Sequence, residues 1–95
     1  MVRQQVYKVS RYLFVAPSYR RGKKYDVYDT VGTYITSFGG LRESGKPYEH
    51  FRDKIGHYRD YNHNDKQRKK AWEARHKPKE AEYQSPLWFS SRFLW

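Results

Sequence analysis

From Gln5 to Val15 the chain reads QVYKVSRYLFV, with Tyr7, Val9, Arg11 and Leu13 on one parity and Val6, Lys8, Ser10, Tyr12 and Phe14 on the other. A run this rich in β-branched and aromatic residues predicts one strand, with imperfect alternation. Pro17 ends it, and SYRRGKK forms a basic loop that turns at Gly22. Lys24 to Tyr28 and Thr33 to Phe38 are two further strand-like runs on either side of Asp29-Thr30-Val31-Gly32. That spacing predicts a hairpin, with glycine available for a positive φ. Tyr25 and Val27, with Tyr34 and Thr36 or Ile35 and Ser37 across the turn, supply its two faces, and Gly39-Gly40 is expected to break the sheet.

The periodicity then changes. Residues 41–57, LRESGKPYEHFRDKIGH, read as a loop with one short helical turn. Pro47 suits a first helical position, Phe51 and Ile55 lie four apart, and Gly56 falls just past the end. A clearer helix follows, capped by Asn64 or Asp65, with Arg68, Ala71, Trp72 and Arg75 on one stripe, and stopped by Pro78 after His76. In the tail, Ser85 before Pro86 is a cap followed by a residue preset for the first turn, and Leu87, Trp88, Ser91, Arg92 and Trp95 recur at helical spacing. The predicted class is α+β: a small N-terminal antiparallel β-sheet of two or three strands followed by two short α-helices. Residues 1–22 form a basic N-terminal arm or strand, and residues 23–95 a small α+β domain with an aromatic C-terminal tail.

At 95 residues the chain supports one small domain of marginal stability. It has no cysteine, which excludes disulfides and thiolate metal sites. No apolar run approaches the ~20 residues of a membrane span, and the N-terminus lacks the apolar core of a secretory signal. The chain is therefore expected to be soluble and unprocessed. Ten Tyr, five Phe and three Trp allow a core built mainly from rings. The formal net charge is +10. Seven of the basic residues, Arg3, Lys8, Arg11, Arg20, Arg21, Lys23 and Lys24, precede the first acid. Such a run repels itself unless it is solvated or faces an anion.

Phe38-Gly39 after the hairpin, Tyr58-Arg59-Asp60-Tyr61, His63, Asp65, Arg68-Lys69, the run Trp72-Glu73-Ala74-Arg75-His76, then Trp88 and Phe93-Leu94-Trp95 resemble a family of small, basic, uncharacterised proteins of large double-stranded DNA viruses. The likeness covers roughly residues 23 to 95. It departs in a longer 40–57 link, in Trp72 where tyrosine is more typical, and in residues 1–22, which have no counterpart. It implies a viral origin and a compact ββ-helix unit, and it implies no activity.

His57, His63 and His76 with Asp60 and Asp65 match no metal-binding spacing. His63 and Asp65 instead fix the turn before the helix, and His76 favours its C-terminal end. A ββα-metal nuclease needs its base histidine at a strand exit and a ligand histidine on the helix. Asn62 and His63 fall in the wrong element for that. No nucleophile has a base and an orienting group nearby, and no glycine-rich phosphate loop occurs. The expectation is a protein with no enzymatic activity, no cofactor, no metal and no small-molecule substrate.

Two binding readings remain. In the first, the protein is a non-catalytic virion structural component, a minor capsid or cement-type protein made in the host cell cytoplasm and resident in the virion. Leu87, Trp88, Phe89, Phe93 and Trp95 then dock into other virion or capsid proteins, because so many exposed rings are a liability on a monomer. In the alternative it is a sequence-independent nucleic-acid-binding or packaging protein, or a ribosome-like RNA-bound one. Arg20, Arg21, Lys23, Lys24, Lys66, Arg68, Lys69, Lys70, Arg75, Lys77 and Lys79 then meet the phosphates of DNA or RNA, while Tyr19, Tyr25 and Trp72 stack on bases or ribose. In the first reading the same cations meet acidic protein surface.

Overall fold

The computed structural model describes residues 6–95. Strands β1 (Tyr7–Ser10), β2 (Leu13–Pro17), β3 (Lys23–Asp29) and β4 (Tyr34–Gly40) form one antiparallel sheet in the order β1-β2-β3-β4. Helices α1 (Lys66–His76) and α2 (Pro86–Phe93) follow, with single 3₁₀ turns at Arg59–Tyr61 and Pro78–Glu80. The class is α+β, with an N-terminal antiparallel sheet and two C-terminal helices.

The fourth strand comes from the segment read as one strand. That run folds back on itself, with Tyr7 opposite Val15, Lys8 opposite Phe14 and Ser10 opposite Leu13. Gln5 lies outside the described residues, as does Arg3. The reversal at Arg11-Tyr12 uses no Gly, Asn or Pro. Ser10 Oγ instead accepts the Tyr12 N–H at 3.3 Å, a local side-chain bond that substitutes for turn chemistry. The imperfect alternation was the trace of this slip between two strands. β2 and β3, on either side of the division expected at residue 22, are neighbouring strands.

Alternation along β2, β3 and β4 sends Leu13, Val15, Tyr25, Val27 and Phe38 to one face. Ser85 Oγ accepts the Trp88 N–H at 3.2 Å, Pro86 opens α2, and the helix lays Phe89, with Leu94 just beyond it, on that face. The Phe38 and Phe89 rings stack at 5.6 Å. Fully burying a side chain of this kind stabilises by about 1.5–3 kcal/mol. The loop takes up two carbonyls at the end of α2: Phe93 O accepts from Lys54 N at 2.9 Å and Leu94 O from Arg52 N at 3.0 Å.

Residues 41–57 contain no helical turn, contrary to the sequence reading. Leu41 bridges to Pro47 and His50 to Asn62. The reason is Asp53, whose carboxylate accepts the N–H groups of Ile55 (2.8 Å), Gly56 (3.0 Å) and Tyr58 (2.8 Å) and so replaces a helical ladder by a tight turn. Gly56 is at positive φ inside this turn, where it had been expected to end a helix. Gly39 and Gly40 likewise continue β4 rather than break it.

Gly39, at φ +79°, lies against Lys24. A Cβ added there would come within 2.9 Å of Lys24 Cβ and 3.0 Å of Leu94 Cδ1, whereas one added at Gly32 (φ +85°) meets open space. Gly32→Ala therefore pays only the left-handed backbone cost of about 1–2 kcal/mol, and Gly39→Ala adds a steric cost that brings the total to roughly 3 kcal/mol. Urea unfolding of the two variants checks this, and equal losses would refute the close approach at Gly39.

Candidate nucleic-acid interface

The face of the sheet opposite the core is covered by none of the described helices. Its side chains follow from strand register. Phe14 is opposite Lys8 on one side and Tyr28 on the other, and Tyr28 is opposite Tyr34. A row Lys8, Phe14, Tyr28, Tyr34 therefore crosses all four strands. The Tyr28 and Tyr34 rings meet edge to face at 6.0 Å, and Tyr34 is 41% exposed.

Beneath this row is a buried acid. Asp26 accepts from Ser37 Oγ at 2.6 Å and from the Tyr28 hydroxyl at 3.3 Å. Ser37 Oγ is also 2.7 Å from the Tyr34 hydroxyl. The loop after β2 closes on Ser18 N–H to Lys24 O (2.9 Å) and Lys23 N–H to Arg20 O (3.2 Å), with Gly22 at positive φ. This closure lays the Arg20 guanidinium over the Tyr34 ring at 3.9 Å and its Nε 3.7 Å from Asp26. Cation–π contact and ion pair hold one ring and one cation side by side. Desolvation, then the Asp26 charge, pushes the Tyr28 phenol up, so it stays protonated and donates.

The sequence-predicted cations divide between two places. Arg20 and Arg21 are exposed on the loop after β2, with Arg20 against the row, and Lys23 is exposed at the start of β3 opposite Gly40. Lys66, Arg68, Lys70 and Arg75 are exposed along α1, and Lys77 and Lys79 follow it. Lys69 lies over the Phe51 ring at 4.7 Å, and Arg68 pairs with Glu49 at 3.7 Å. Lys24 does not join the basic surface: it is 2% exposed. Its Nζ donates to Tyr48 O at 2.7 Å and to His50 Nδ1 at 2.9 Å, and His50 Nε2 donates in turn to Asn62 Oδ1 at 2.7 Å. A basic run in sequence thus contributes one buried donor, because β3 carries it under the wrap of residues 46–50.

Of the stacking candidates, Tyr19 is 82% exposed, whereas Tyr25 and Trp72 are buried. Tyr25 donates its hydroxyl to Asp53 and packs on Phe38. Trp72 stacks on Trp95 at 5.0 Å with the planes 5° apart, which fastens α1 to the end of the chain. The tail rings expected to dock into neighbours turn inward: Phe89 is fully buried, and Leu87, Trp88, Phe93 and Trp95 are half-buried.

Phe14, Tyr28, Tyr34 and Asp26 were missed. Parity alone would have placed Tyr34 with Thr36, but the register shifts between Val27 and Tyr28, leaving Val27 opposite Thr36 and Tyr28 opposite Tyr34. That irregularity turns Tyr34 to the outer face. His63 accepts the Asp65 N–H on Nδ1 at 2.9 Å, as the turn before α1 requires, so Nε2 carries the proton. Nε2 is buried with no hydrogen-bond partner, and the His63 and Trp95 ring centroids are 5.2 Å apart. Asp65 caps α1 through Gln67 N (2.9 Å) and Arg68 N (3.3 Å). Among the described residues no three His, Asp or Glu side chains gather to hold a metal ion, and no helix is long and apolar enough to cross a membrane.

Comparison with protein-family models, with curated proteins and with solved structures gives no match.

Burial, then the Lys24 charge, lowers the pKa of His50 to about 4, and burial lowers that of Lys24 to about 8. Neutral His50 is therefore the folded form. Its contribution to stability is complete above about pH 6.5 and is lost as pH falls toward 4. The melting temperature should fall across that window while the His50 ring resonances stay in their neutral positions down to about pH 5. Titration of His50 near 6.5 would show that the Lys24–His50–Asn62 chain is not formed.

Proposed function

We propose that this is a non-catalytic, sequence-independent nucleic-acid-binding protein that holds an unpaired strand across the outer face of its sheet. The observation that carries the reading is the row Phe14, Tyr28, Tyr34 crossing a face that none of the described helices covers, with Lys8 at one end and Arg20 at the other. Aromatic side chains on a sheet take stacked bases of any sequence, and flanking cations take the phosphates. The exposed cations of α1 and of the Arg20–Lys23 loop add non-specific attraction, each neutralised phosphate contributing about one unit to the salt slope. The tail also supports this reading: it completes the chain's own core with Phe89 and Leu94.

A second reading, a virion structural component that bridges protein neighbours in a capsid, is favoured by exposed Val6, Tyr12 and Tyr83. Its docking surface would be those side chains rather than the tail rings.

Titration of a fluorescent oligo-dT and of a duplex of the same length, at several salt concentrations, tests the first reading. Single strand should bind more tightly than duplex. Tyr34→Ala should weaken it about 5- to 100-fold, as expected for removal of one base stack. Neutralising Lys66 and Lys70 should instead lower the salt slope by about one unit for each phosphate that these side chains neutralise. Equal affinity for duplex, with no effect of Tyr34→Ala, would remove the sheet face from the reading.

A further inference from the structure

A second surface lies on the other side of the β1–β2 hairpin. Two adjoining hollows of about 520 and 500 Å³ run between β1 and the C-terminal half of α2, and they share Val9, Lys54 and Phe93. Each is the size of a small-ligand site. The floor is apolar, from Val9, Leu13, Ile55 and Phe93. Val9, Ile55 and Phe93 pack against the core cluster, so the floor is rigid. The rim is cationic: Lys54 and Arg92 are exposed, and neither hollow is lined by a carboxylate. Arg92 is held in place by its guanidinium, 4.1 Å above the Trp88 ring.

We infer that this groove binds an extended protein segment in which apolar side chains alternate with Asp or Glu. The argument is charge complementarity joined to strand geometry. Alternation presents one parity to the apolar floor and the other to Lys54 and Arg92. A second copy of this chain is disfavoured, because it would bring another +10 to a cationic rim. Nucleic acid has no apolar side chains for the floor. The inference does not rest on the nucleic-acid reading: the outer face of the sheet and this groove share Lys8 but none of their ring residues.

The test uses the full chain and a fluorescein-labelled acetyl-Glu-Leu-Asp-Val-Glu-Phe-Asp peptide, with fluorescence anisotropy as the readout. Because any acidic peptide is drawn to so basic a protein, two double variants with the same change of net charge are compared. Lys54→Glu/Arg92→Glu reverses the groove rim, and Lys66→Glu/Lys70→Glu reverses part of α1. The groove variant should weaken binding at least tenfold and the α1 variant less than threefold. All four side chains are exposed, so both variants should keep the parent melting temperature. If the groove pair unfolds, Lys54→Glu alone should still weaken binding about threefold or more. Replacing Leu, Val and Phe of the peptide by Ser should abolish binding. Equal loss in the two double variants, undiminished binding of the serine peptide, or displacement of the peptide by oligo-dT would each overturn the assignment.

Discussion

The Asp53 carboxylate is the interaction on which the rest of this structure depends. It is 5% exposed. An unpaired buried carboxylate is prohibitively costly, yet this one accepts from the N–H groups of Ile55, Gly56 and Tyr58 and from the Tyr25 hydroxyl. Those bonds shape the longest irregular segment of the chain and tie it to β3. The residues on either side, Arg52 and Lys54, donate their own N–H groups to the last carbonyls of α2. The Asp53 N–H goes to Asn62 Oδ1, which also takes the proton of His50. One side chain thus coordinates the sheet, the loop and the helix that closes the core. An apolar replacement would leave three backbone donors and a phenol without partners.

What was legible in the sequence was what is decided locally. The β3–β4 hairpin announced itself through Gly32 between two apolar runs, and both helices through Asp65, Ser85-Pro86 and Pro78. The other elements are decided by partners distant in sequence. Arg11-Tyr12 reverses the chain without turn residues, because β2 is held by pairing to β3 along its whole length. Pro47, Phe51 and Gly56 imitate a helix pattern that the Asp53 turn overrides. Lys24 reads as one member of a basic run, and only the three-dimensional wrap of Tyr48 and His50 removes it from solvent. The candidate interface was hidden for a related reason: Tyr34 reaches the outer face through a register shift, and period-two reading fails at such shifts.

The two faces of the sheet solve different problems with the same kind of side chain. On the inner face, Tyr25, Phe38 and Phe89 are ring-packed and dry, and Tyr25 satisfies its only polar atom on Asp53. On the outer face, Tyr28 and Tyr34 are fixed by their hydroxyls on Asp26 and Ser37, which leaves ring surface outward. Holding a ring by its polar end lowers the entropy lost when something stacks on it. Asp26 places negative charge under a surface otherwise suited to anions, but Arg20 offsets it locally and is itself positioned by the pair.

Helix α1 shows how the chain tolerates its charge. It is polar nearly all round, with Trp72 its only buried residue, and at eleven residues such a helix is marginal in isolation. Three local devices keep it formed: the Asp65 cap, the left-handed Lys77 at its end, and the stack of Trp72 on Trp95. Its contacts to the rest of the chain are few, the Trp72–Trp95 stack, Lys69 over Phe51 and the Arg68–Glu49 pair, so most of its circumference stays in water, where Lys and Arg repulsion is screened within about 10 Å. The charge is therefore displayed without straining the core. The Trp72–Trp95 stack places the residue just beyond α2 against the buried ring of α1, so the aromatic tail supports the basic surface from beneath.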